Sequence, residues 1–183
     1  MTQIGASIAF GICAAWVGFA LAGLVVPVLP ASLFGGALGL ALAWPFRRNI
    51  VSTGAIAIFA PFGVMLPALA LHHIAISLGL DAPVFSSIEI AVFLLAYILF
   101  LVAAFGLLSV DLYRLGYSPR VVGVMTLAVC LYALATGNWF LALVAVSGQA
   151  IWAAGWSSSN WFDTVLHVTL VPIAAITLLT RLF

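Results

Sequence analysis

Apolar runs long enough to cross a bilayer, interrupted at six places, limit what this chain can fold into more than any other feature. A membrane-spanning helix needs about 20 predominantly apolar residues. The interruptions fall at Pro27/Pro30, Arg47-Arg48-Asn49, Asp81-Ala82-Pro83, Asp111 to Arg120, Gly137-Asn138 and Ser157-Ser158-Ser159-Asn160. They leave expected spans near 5–27, 31–46, 51–78, 86–110, 119–136 and 138–156. A last stretch, 161–182, is either a seventh span or a helix laid along the bundle or the interface. The expected fold is an all-α integral membrane protein, one transmembrane domain over residues 1–183 with 6–7 helices in a bundle.

Charge leads the same way. Only 9 of 183 side chains are charged, five arginines and four carboxylates, with no lysine. Soluble domains carry about 25% charged residues, so nine cannot clothe a water-facing surface. That excludes a soluble enzyme, a disordered chain, a nucleic-acid binder with a basic face and a small disulfide scaffold. The opening residues have no basic n-region, so the first apolar stretch is expected to stay as a span. Cys13 and Cys130 lie inside apolar runs and read as packed small side chains.

The arginines set an expected orientation. Arg47 and Arg48 follow the second span, and Arg114 and Arg120 follow the fourth, so both loops share one side. The excess of arginine in cytoplasmic loops makes that side cytoplasmic and puts the N-terminus inside. The Asp81 loop and the Gly137-Asn138 turn then face outward. Trp44, Trp139, Trp156 and Trp161 lie near span ends, where tryptophan anchors to the interface. Small residues four apart (Gly5, Ala9 and Cys13; Ala14 and Gly18; Gly35, Gly39 and Ala43) give faces on which helices approach closely.

Ionisable residues at membrane depth are costly and mark candidate sites. His72 and His73 sit near the outer end of the third span, with Asp81 and Glu89 on the same side, as a candidate outer vestibule. Adjacent helical residues point about 100° apart, so at most one of the two histidines faces a given site. Asp163 and His167 fall four apart on one helical face, as a local pair or, with Gln149, as a candidate proton relay. Gln149 needs a partner in lipid, most simply an interhelical hydrogen bond. No nucleophile elbow, zinc-protease motif, Cys-x-x-Cys or phosphate loop is present, so no catalytic residue, metal or cofactor is assigned.

Several segments resemble the acetate uptake transporter family, small six-span carboxylate permeases that share an architecture with acid-gated urea channels. Phe59-Ala60-Pro61-Phe62-Gly63 stands where that family has Phe-Thr-Ser-Tyr-Gly, followed about a span later by Leu78-Gly79-Leu80-Asp81-Ala82-Pro83. Thr126-Leu127-Ala128-Val129, Ala135-Thr136-Gly137-Asn138, Phe10-Gly11, Asn160 and Leu170-Val171-Pro172-Ile173 complete the likeness over about residues 8–175. The chain departs from the family at its opening signature, replaced by Ile4-Gly5-Ala6-Ser7, at Arg47 in place of a glutamate, and at Phe62 in place of a pore tyrosine. The resemblance implies a hexameric ring of protomers, each with its own pore. It also implies a constriction of Phe10, Phe62 and Leu127, for which ordinary bundle core is the alternative.

The expected function is an inner-membrane channel or transporter, not an enzyme. It would pass a short carboxylic acid such as acetate, or a small neutral amide such as urea, through an apolar constriction. The expected partners are membrane lipid, the solute and further copies of the chain, with no nucleic acid. The competing readings are a haem- or metal-binding membrane subunit using His72, His73 or His167, and a membrane-embedded enzyme using Asp163 and His167.

Overall fold

The computed structural model describes residues 3–43, 54 and 63–182. The described residues form eight α-helices and no strand. They are α1 (Gln3–Ala22), α2 (Val28–Ala43), α3 (Met65–Ser77), α4 (Ser87–Ala104), α5 (Pro119–Thr136), α6 (Trp139–Ala153), α7 (Trp161–Val165) and α8 (Leu170–Leu182). A single 3-10 turn, Tyr113–Tyr117, leads into α5. Among the described residues α1, α4 and α5 are long and apolar enough to cross a membrane, and α2, α3, α6 and α8 are shorter apolar helices.

The helix surfaces are inverted relative to a soluble bundle. On α4 the residues Ile88, Val92, Leu95 and Leu99 recur at helical spacing, and each is more than half exposed. On α5 the same holds for Val124, Leu127, Leu131 and Leu134. Wholly buried positions include the polar Asn160 and Thr164. Water would not tolerate such continuous apolar stripes; hydrocarbon requires them.

The first two helices form the closest pair. A Cβ added to Gly11 would lie 2.7 Å from the Ala43 Cβ, and one on Gly39 would lie 2.7 Å from the Ala15 Cβ. One on Gly35 would run into the Ala15 carbonyl oxygen and sit 2.8 Å from the Phe19 amide nitrogen. The expected small face of α2 (Gly35, Gly39, Ala43) is therefore the one used. On α1 it meets Gly11, Ala15 and Gly18 rather than Gly5, Ala9 and Cys13. Ala9 and Cys13 face the other way, into a core cluster with Leu66 of α3, Tyr97 of α4 and Leu170 of α8. One helix thus presents two small faces, one to α2 and one to the bundle.

Two expected spans do not run as single helices. The third was expected over 51–78, yet a helix starts at Met65 directly after Gly63, which sits in the left-handed region at φ +58°. The stretch 161–182 was expected as one helix, but it is two. Leu166 is extended at φ −101°, ψ 153°, and separates α7 from α8. Arg47, Arg48, Trp44, Phe62 and the start of the third span lie outside the described residues.

Candidate functional site

The polar residues of the chain gather at the two ends of the bundle and at the level of the two helix breaks. At the first end, α5 closes on Gly137 at φ +70°, a left-handed cap that glycine adopts without strain. Asn138 then caps α6, its Oδ1 accepting from the Leu141 amide at 3.1 Å. On the facing side Ser86 caps α4 in a reciprocal box. Its hydroxyl accepts from the Glu89 amide at 3.2 Å, and its own amide donates to Glu89 Oε2 at 2.7 Å. The Tyr132 hydroxyl reaches from α5 to donate to Glu89 Oε1 at 2.8 Å. These caps leave a pocket of about 250 Å³ lined by Pro83, Val84, Ser86, Glu89, Tyr132, Thr136 and Asn138.

The loop that floors this pocket is held from two directions. His72 Nε2 donates to the Pro83 carbonyl at 3.1 Å, and its ring lies 4.1 Å from the Phe140 ring, centre to centre. Arg181 Nη1 donates to the Phe85 carbonyl at 2.7 Å. Since α3 and α8 both finish here, they run in the same direction. His73 turns away toward α1, where its Nδ1 accepts from Trp16 Nε1 at 3.2 Å. Indole only donates, so the proton of the neutral His73 ring sits on Nε2.

The starts of α3 and α8 meet inside the bundle. The Val64 amide donates to the Thr164 carbonyl at 2.8 Å, and a Cβ on Gly63 would lie 2.6 Å from the Val165 carbonyl oxygen. Leu66 and Leu170, from the first turns of the two helices, share the buried cluster described above. His167 lies in the second break, 8% exposed. Its Nδ1 contacts the Thr169 hydroxyl at 2.7 Å and accepts from the Thr169 amide at 3.3 Å. Trp161 Nε1 is the one sealed side-chain polar atom without a partner among the described residues.

The other end is a knot of short-range bonds. The Tyr113 hydroxyl donates to Asp163 Oδ2 at 2.6 Å, and the Ser158 hydroxyl donates to the same oxygen at 3.1 Å. Asn160, fully buried, donates from Nδ2 to the Tyr113 carbonyl at 2.8 Å and accepts at Oδ1 from the Phe162 amide at 2.8 Å. A Cβ on Gly116 would collide with Asn160 Oδ1. Burial, and then the bond to Asp163, holds the Tyr113 phenol above its ordinary value of 10.0, so it stays a neutral donor.

The expected site residues distribute as follows. Glu89 lines the pocket and His72 supports it through Pro83. His73 belongs to the α1 contact, and Asp81 is exposed on the loop. Asp163 and His167 do not pair. Helix α7 ends at Val165, so the four-residue spacing has no helical face to act on, and each takes a different partner. Gln149 makes the expected interhelical bond, its Oε1 accepting from the Thr126 hydroxyl of α5 at 3.1 Å. Phe10 packs against the Ala9–Leu66–Tyr97–Leu170 cluster, whereas Leu127 is 59% exposed on the outward stripe of α5, so these two are not brought together. Phe62 lies outside the described residues. Among the described residues no three His, Cys, Asp or Glu side chains gather as a metal-holding group.

Residue reading missed Tyr132, Thr136 and Asn138. The signal for Asn138 was present: a Gly-Asn pair between apolar runs is a helix stop followed by a helix start. The chain matches no family model, no curated protein and no solved structure.

Proposed function

We propose that this chain is an integral membrane protein that passes a small solute, as a channel or transporter, across a bacterial-type inner membrane. The observation that carries this reading is the hydrogen bond from Val64 to Thr164, which ties the start of α3 to the end of α7, next to the break before α8. Broken helices are tolerated at membrane depth only where their backbone is buried in protein or lines a water-filled cavity. Transporters use such breaks to offer helix N-termini and backbone groups to a solute. Here two helix starts lie side by side and point the same way, with His167 and Thr169 in the break that precedes α8. A helix kept only as an anchor gains nothing from being broken.

In this reading the solute is a short carboxylic acid such as acetate or a small neutral amide such as urea. The N-terminus is cytoplasmic, the Glu89 pocket faces outward, and protomers assemble as a homo-oligomer, a hexamer by the resemblance to the acetate uptake transporters. The departures at Arg47 and Phe62 leave acid and amide both in play from that resemblance.

The test is flux into proteoliposomes of acetate, succinate, urea and acetamide, with and without a pH gradient. Saturable flux of at least one is expected. Gly63→Ala is expected to lower it at least tenfold, because a side chain there strains the backbone and pushes on Val165. No flux for any of the four overturns the proposal.

A further inference from the structure

We propose that the pocket formed by Glu89, Tyr132, Thr136 and Asn138 is a recognition site for a small primary amide, in preference to a carboxylate or an ammonium ion. This rests on the small-solute reading above and chooses between the two solute classes left open there.

The key group is the Asn138 side chain. The residue is 4% exposed, and the bond from the Leu141 amide to Oδ1 fixes which end of the amide is which. Its Nδ2 donates to nothing among the described residues. Nδ2 is not sealed from its surroundings, since the one sealed unpartnered side-chain atom among the described residues is Trp161 Nε1. Asn138 is one of the residues that line the pocket, and on the proposed reading Nδ2 is the group it offers there.

The second group is Glu89. Each carboxylate oxygen accepts one bond, from Ser86 and from Tyr132. A carboxylate oxygen has two lone pairs, so each keeps one acceptor position. No lysine or arginine lines the pocket. The Thr136 hydroxyl is already given to the Tyr132 carbonyl at 3.0 Å, which removes it as a competing donor.

One wall thus offers an N–H, and another offers an acidic acceptor. A ligand satisfying both must carry an acceptor and a donor together. A primary amide does so, with its carbonyl on Asn138 Nδ2 and its N–H on Glu89. A carboxylate of the same shape fills the Asn138 side but brings a second acceptor against Glu89. An ammonium ion suits Glu89 but leaves the Asn138 donor unmet. Discrimination of this kind, by leaving a site's polar groups unpaired, is stronger than discrimination by size.

The test is direct binding of radiolabelled acetamide, acetate and methylammonium to the purified full chain in nanodiscs, with flux measured separately in liposomes. Saturable acetamide binding is expected, at least tenfold tighter than that of the isosteric acetate and of methylammonium. Asn138→Asp keeps the helix cap and removes the donor, and is expected to weaken acetamide binding at least tenfold with an unchanged melting temperature. Glu89→Gln keeps the capping box and removes the negative charge, and is expected to let acetate compete. Equal binding of acetate and acetamide, or acetamide binding indifferent to both substitutions, overturns the proposal. Flux without such binding sinks the pocket and leaves transport standing. Selective binding without flux supports the pocket and sinks transport.

Discussion

Asn160 and Gly116 show how one buried side chain fixes the backbone around it. Asn160 caps α7, ties it to the 3-10 turn and excludes any side chain at Gly116. Gly116→Ala is expected to lower stability by about 1–3 kcal/mol through overpacking, read as a drop in melting temperature in detergent. Tyr113→Phe removes a hydrogen bond to a carboxylate, worth about 1.5–3 kcal/mol. The sign of its pH dependence follows from the raised phenol. The contribution is complete below the ordinary tyrosine value of 10.0 and is lost as pH rises through the higher folded value. Ultraviolet titration should show one late-ionising tyrosine fewer in the variant. Little of this was legible from residues alone. Asp163 was visible as a rare buried-region charge, but its partner Tyr113 lies 50 residues away in sequence, and no local spacing announces it. The divergence of His72 and His73, by contrast, was legible, because it follows from helix geometry alone.

At the scale of elements, the seam between α1 and α2 and the paired starts of α3 and α8 set the architecture. Gly35→Val places atoms where the Ala15 carbonyl and the Phe19 amide already stand. It is expected to cost at least about 1–3 kcal/mol and to separate the pair, checked by crosslinking cysteines placed across the seam. The small-residue periodicity made that seam readable in advance on α2, but on α1 only Gly18 of the expected small positions lies on it, beside Gly11 and Ala15. The starts of α3 and α8 were misplaced because hydropathy averages over them. Yet a local signal marks each start. Met65-Leu66-Pro67 and Leu170-Val171-Pro172 both put proline in the first helical turn, as Val28-Leu29-Pro30 does for α2. Proline fits there because its missing N–H would have no helical partner. Read together with Gly63 and with His167 and Thr169, that pattern locates both helix starts.

For the whole molecule, the outward stripes of α4 and α5 define the surroundings the bundle is made for. Leu95→Arg, in the middle of the α4 stripe, is expected to cost about 2.5–3.5 kcal/mol of membrane insertion, read as loss from the alkali-resistant membrane fraction. Arginine in place of Ser118, between spans, should leave that fraction unchanged. The all-helical build and the apolar outer stripes were legible in the nine charges among 183 residues, since so few charged side chains cannot cover the helix surfaces. One feature of the bundle bears on how it is made. Helix α8 has 13 residues, about 20 Å at 1.5 Å per residue, well short of the roughly 30 Å of hydrocarbon. On the proposed membrane reading, a helix this short does not enter the bilayer as a span in its own right. It joins by docking on α4, against which it packs, with the Phe85 carbonyl receiving Arg181. Weakening that latch should therefore leave α8 undocked and open to membrane quality control.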